Sequence, residues 1–143
     1  FPSASFKLLE ASVGPLISDE ATCFRKKSLS FWTRHVLFHD NNQPLLFART
    51  VTPIQDNTPT EWVTTLGNTP LASRLFQQEN VTRNEITQIQ LNQTHPYHLL
   101  TQHYLKKPQP DLTARRSLFQ MNQHPLLITE IFLPHFLQEI SAC

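Results

Sequence analysis

Pro125-Leu126-Leu127-Ile128-Thr129-Glu130-Ile131-Phe132-Leu133-Pro134 is the stretch that decides how this chain folds. Between its prolines every residue but Thr129 and Glu130 is apolar. Apolar side chains at both parities read as a strand covered on both faces. A carboxylate in such a strand costs free energy unless something pairs with it or uses it. The reading therefore turns on what Glu130 faces. The candidates are the arginines of the other strand-like runs: Arg34, Arg49, Arg115 and Arg116.

Immediately upstream, 115–121 is a second strand and Asn122-Gln123-His124 a tight turn, so the two form a hairpin. An earlier hairpin joins strands over 29–38 and 45–52 through Asp40-Asn41-Asn42-Gln43. Arg34 stands in line with Trp32, Val36 and Phe38, and Arg49 with Leu45, Phe47 and Val51. If both of those faces turn inward, two guanidinium groups line one interior surface. Residues 5–11 and 80–93 add a first strand and a polar-faced one.

Between the hairpins, Thr58-Pro59-Thr60-Glu61 predicts a capped helix start, and Gly67 its stop. Thr69-Pro70 repeats the pattern ahead of a second short helix over 71–76, which puts the Leu71 backbone at a helix N-terminus with free N–H groups. Residues 94–112 read as an inserted flap with a short helix over 97–105, and 135–140 as a closing helical turn. The fold class expected is α+β: an antiparallel sheet of about six strands with short helices inserted between hairpins.

The composition narrows the function. One domain with a real core fits 143 residues. A net charge of +1 gives no electrostatic case for nucleic acid, and no apolar run approaches the ~18 residues of a membrane span. Cys23 and Cys143 stand far apart, which argues against a zinc site or disulfide scaffold and for a reducing, cytoplasmic setting. His95, His98 and His103 lack a carboxylate or thiol at ligand spacing, so no metal is expected and exposed histidines are the simpler reading. Arg25-Lys26-Lys27 reads as a solvated loop, and Arg115 and Arg116 read most simply as hairpin-surface charges.

Four segments, in order, resemble one family. Phe31-Trp32-Thr33-Arg34 with Pro44-Leu45-Leu46-Phe47-Ala48-Arg49-Thr50-Val51-Thr52-Pro53 resembles the first hairpin of bacterial chorismate lyase. Leu66-Gly67-Asn68-Thr69-Pro70-Leu71, followed by Arg74-Leu75-Phe76, is similar to that family's L-G-x-T-P-L-x-x-x-L-F segment. Ala114-Arg115-Arg116-Ser117 and the 125–134 stretch are similar to its closing hairpin. The resemblance implies a cofactor-free enzyme that converts chorismate to 4-hydroxybenzoate and pyruvate for ubiquinone biosynthesis, working as a monomer on a pocket closed by flaps. It implies that Arg34 binds a substrate carboxylate, that Glu130 is catalytic or contacts a hydroxyl, that Leu71 gives a backbone contact, and that Arg49 is a second pocket arginine. The family also has helices ahead of its first strand, with a methionine that helps to cover the pocket. This chain begins too late to contain them, and its one methionine is Met121, so it is expected to be a single domain over 1–143 without them.

The chemistry suits these residues. Chorismate is a dianion, and arginine's fork matches carboxylate geometry. Breaking the ether and removing a ring proton needs orientation and one proton-handling group, for which Glu130 is the candidate. The competing reading is a non-catalytic small-molecule-sensing domain of the same fold, as in transcription regulators.

Overall fold

A computed structural model of the chain describes residues 4–17, 19–24, 30–54, 66–67, 69–77, 81–121 and 124–141. The expected capped helix from Thr58, the Arg25-Lys26-Lys27 loop and the Asn122-Gln123 turn lie outside the described residues, apart from Leu66, Gly67 and His124 at their edges.

Among the described residues, β1 (Ala4–Gly14), β2 (Phe31–Asp40), β3 (Gln43–Pro53), β4 (Val81–Asn92), β5 (Asp111–Met121) and β6 (His124–Phe132) form one sheet. The spatial order is β1-β2-β3-β6-β5-β4, and every neighbouring pair is antiparallel. The expected class and strand number therefore hold. Pro125–Phe132 lie in β6, an interior strand between β3 and β5. Among the described residues three α-helices accompany the sheet: α1 (Leu71–Leu75), α2 (Pro96–Thr101) and α3 (Pro134–Ser141).

Local chemistry explains the joints. Asn41 and Asn42 turn β2 into β3 with φ of 48° and 67°, the left-handed region that asparagine tolerates and that two-residue hairpin turns require. Proline opens both α2 and α3, where its missing N–H is no loss. His95 caps α2: its Nδ1 accepts from the Tyr97 N–H at 3.0 Å.

The sheet's two faces differ. On the back face Leu37, Phe47, Ile131 and Ala114 pack with Leu91, Leu112, Tyr97 and Leu133, so the flap segment with α2 is seated on the main core. Val51, Leu118 and Leu127 extend that layer against Phe24 and Phe31. On the front face α1 and Leu66 pack on Phe119, Met121 and Leu126. Among the described residues this cover leaves a cavity against the middle strands.

Candidate active site

The front-face cavity has a volume of about 310 Å³, within the range of small-molecule sites. Strand alternation supplies its floor: Arg34 and Val36 from β2, Ala48 and Thr50 from β3, Ile128 and Glu130 from β6, Arg115 and Ser117 from β5. Leu71 and Leu75 of α1, with Phe76 just after it, form one wall, and Arg83 of β4 and Phe6 of β1 close other sides.

Arg34 is 3% exposed, and among the described residues no carboxylate pairs with it. Its Nη2 donates to the Thr69 carbonyl at 2.8 Å and the Gly67 carbonyl at 3.3 Å. Gly67 has a φ of 54°, so the glycine allows the turn that brings both carbonyls to the guanidinium. The Arg34 Nε is buried without an acceptor, as is the Ser117 Oγ. Burial pushes the Arg34 pKa below the ordinary guanidinium value, because nothing anionic offsets the lost hydration. A buried cation with an orphaned donor, on a cavity wall, is built to receive an anion.

Glu130 stands directly opposite Arg115 in the β5–β6 pair. Its Oε1 accepts from Arg115 Nε at 3.0 Å and from Nη2 at 2.7 Å. One carboxylate oxygen is thus anchored, and the other has no hydrogen-bond partner among the described residues. Of the four arginines that the sequence offers as partners of Glu130, Arg115 is the one that holds it.

The expectation that Arg34 and Arg49 line one surface also fails. Arg34 pairs across the strands with Thr50, and Arg49 with His35, so the two guanidiniums project from opposite faces. Arg49, 4% exposed, lies on the back face. Its Nε donates to Glu20 Oε2 and its Nη2 to Glu20 Oε1, each at 2.9 Å, and Nη2 also donates to the Pro15 carbonyl at 3.0 Å. Its Nη1 meets His35 Nε2 at 2.8 Å, an arrangement in which the imidazole nitrogen is the acceptor.

Around this pair runs a buried polar network. The Tyr97 hydroxyl donates to Glu20 Oε2 at 2.7 Å and accepts from Arg116 Nη2 at 2.8 Å and Thr129 Oγ1 at 3.2 Å. Asp19 Oδ2 receives Arg116 Nη2 at 3.2 Å and His95 Nε2 at 2.9 Å. Burial raises the Asp19 carboxyl, but His95 and Arg116 more than offset it, and the group titrates below its usual range. Burial and the Glu20 charge push the Tyr97 phenol well above its ordinary value. Burial, with Arg49 beside it, pulls the His35 imidazole down. The network pins the 15–24 segment and α2 to the sheet.

His95 and His98 are accordingly structural, not exposed. Nε2 of His98 donates to the Gln109 carbonyl at 3.0 Å. Among the described residues no group of three or more His, Cys, Asp or Glu is gathered as a metal would need.

Of the residues singled out in the sequence, the structure brings Arg34, Glu130 and Leu71 to one cavity and separates Arg49 from them. It adds Arg115, Ser117 and Arg83. Arg115 stands among the four arginines that the sequence offers to Glu130, but only the observed register singles it out; Ser117 and Arg83 carry no signal in the sequence alone.

A family model described as chorismate lyase matches residues 4–141. The chain belongs to the chorismate lyase family. It is 37% identical over 120 residues to the chorismate pyruvate-lyase of Hamiltonella defensa, covering 82% of this chain and 57% of that protein. It is 35% identical over 127 residues to a probable chorismate pyruvate-lyase of Hydrogenovibrio crunogenus, covering 88% of this chain and 67% of that protein. The chain therefore spans well under the full length of these relatives. Their shared name is that of a lyase, in keeping with the expected class of enzyme. Among solved structures, the C-terminal domain of the histidine utilization repressor from Pseudomonas syringae pv. tomato has a TM-score of 0.64 at 10% identity, covering 92% of each chain. A GntR-family transcriptional regulator from Bacillus cereus has a TM-score of 0.65 at 11% identity, covering 93% of each. At such identities the likeness shows the sheet architecture alone. Within this chorismate lyase family chain, no helix of the described residues is long and apolar enough to cross a membrane.

Proposed function

We propose that this chain is the catalytic domain of a chorismate lyase, eliminating pyruvate from chorismate to give 4-hydroxybenzoate. The observation that carries the reading is Arg34: a buried guanidinium with no carboxylate partner among the described residues and an orphaned Nε, on the wall of a small-molecule cavity. Among the described residues the lining carries three guanidiniums, of Arg34, Arg83 and Arg115, against the one carboxylate of Glu130. That surplus of two positive charges matches the two carboxylates of chorismate.

In this reading Arg34 clamps the ring carboxylate through a short fork, and the Leu71 N–H adds a backbone donor beside it. Val36, Ala48 and Ile128 give the flat ring an apolar floor. Glu130, anchored through Oε1 by Arg115, presents Oε2 to the ring hydroxyl or the ring proton. The ring loses a proton as the C–O bond to the enolpyruvyl group breaks, and the departing enol takes up a proton to become pyruvate. Aromatisation supplies the driving force, so the protein's work is orientation, charge complementarity and one proton-handling oxygen. Arg49 is no part of this clamp; it supports the site from behind. The family resemblance further supports a cofactor-free, cytoplasmic, monomeric enzyme whose product supplies the ring of ubiquinone.

The test is incubation of the purified protein with chorismate. Equal amounts of 4-hydroxybenzoate and pyruvate support the reading. Chorismate bound but returned unchanged would instead favour a ligand-sensing role like that of the regulators whose fold it shares.

A further inference from the structure

The cavity contains three guanidiniums in three different states. Arg115 is committed to Glu130. Arg34 is buried and held by two carbonyls. Arg83 has no side-chain hydrogen-bond acceptor among the described residues, and its guanidinium lies over the face of Phe119, with its Cζ 5.0 Å from the ring centroid. A cation parked on an aromatic face in a cavity wall keeps its donors free for an anion.

Arg83 reaches that position through an irregularity in the sheet. From Glu85 onward β4 pairs with β5 in one register, with Glu85 opposite Leu118 and Ile86 opposite Ser117. Continued without interruption, that register would place Arg83 opposite Gln120, on the back face. The register instead shifts between Arg83 and Glu85, and Arg83 lies opposite Phe119. The bulge thus turns one arginine from the back of the sheet to the cavity, a use of bulges that recurs beside functional sites.

We propose that Arg83 is a specificity-determining residue that binds the second, enolpyruvyl carboxylate of chorismate, while Arg34 binds the ring carboxylate. The assignment rests on the lyase reading and deepens it. It distinguishes substrate from product: chorismate engages both arginines, whereas 4-hydroxybenzoate has lost the carboxylate that Arg83 holds. Departure of pyruvate then removes the charge that kept Arg83 engaged.

Three measurements decide it: turnover of chorismate, its KM, and the Kd of 4-hydroxybenzoate by titration calorimetry. Arg83→Ala is expected to raise the chorismate KM by about tenfold or more, the loss of a charged hydrogen-bonding partner at a partly hydrated site. Its Kd for 4-hydroxybenzoate should stay within about twofold of wild type, which also reports that the cavity is intact. Arg83→Lys, which keeps the charge, should recover part of the KM. An unchanged KM in Arg83→Ala, or a parallel loss of affinity for both compounds that Arg83→Lys does not relieve, overturns the assignment. Wild-type protein that makes no product overturns the lyase reading and this inference together. Wild-type turnover with an unaffected Arg83→Ala removes Arg83 alone.

Discussion

Replacing Arg49 by alanine should unfold the back of the molecule before it harms ligand recognition at the front. The substitution removes two bonds to Glu20, each 2.9 Å long, one to the Pro15 carbonyl and one to His35. Glu20 has 0% exposure, so its carboxylate is left in the interior with, among the described residues, the Tyr97 hydroxyl and the Ile17 N–H. Breaking one side of a buried ion pair costs about 3–5 kcal/mol, a large part of the ~5–15 kcal/mol that holds a domain of this size. At roughly 2–4 °C of melting temperature per kcal/mol, the midpoint should fall by about 10 °C. Urea unfolding gives the free energy, and titration of 4-hydroxybenzoate into the folded fraction at low temperature gives the affinity. Adding Glu20→Gln to Arg49→Ala should recover part of the loss, since the amide carries no charge to strand. A loss below about 1 kcal/mol would refute the buried-pair reasoning. So would a tenfold fall in ligand affinity with stability intact, since that would put Arg49 in the binding site.

Arg34→Ala should weaken chorismate and 4-hydroxybenzoate alike, by about 10–100-fold, because both carry the ring carboxylate; affinity retained for both in titration calorimetry would remove Arg34 from the site. Stability should decline on acidification. His35 and His124 are both pulled below their ordinary value of 6.5, chiefly by burial, so the unfolded chain binds more protons than the native one in the window beneath it. Their contribution is full above 6.5 and is lost as pH falls through the lower folded values; that of Asp19 follows below its ordinary 3.8. Urea midpoints from about pH 7.5 to about pH 5 should fall in wild type and fall less steeply in His35→Asn, and a flat profile would contradict the burial of these imidazoles.

Much of the fold was legible because strands announce themselves locally. The runs around Trp32, Phe47, Arg115 and Ile131 combine aromatic and branched residues with turn signals between them, and each became a strand. The face of each arginine was not legible, because a face depends on register, and register on single-residue irregularities. Asp40 pairs with Gln43 and His39 with Pro44; carried on without interruption, that register sets Arg34 directly opposite Arg49. One extra residue on β3, beside Pro44, shifts Phe38 to Leu46 and sends Arg49 to the other face. The closing hairpin shows the same sensitivity. Reading 122–124 as the turn sets Glu130 opposite Arg116, whereas the observed pairing of Met121 with His124 sets it opposite Arg115. Glu20 and Tyr97, which hold the back face together, are far apart in the chain and could be joined only by tertiary structure.

In the lyase reading Glu130, anchored by Arg115 on the cavity floor, acts on a substrate that the arginines hold. Wild type and Glu130→Gln, assayed side by side with chorismate, test it most directly. The glutamine keeps the shape but not the proton-accepting oxygen, so kcat should fall by about a hundredfold or more while Arg34 still binds the ring carboxylate and KM changes little. Full turnover in Glu130→Gln would contradict the claim.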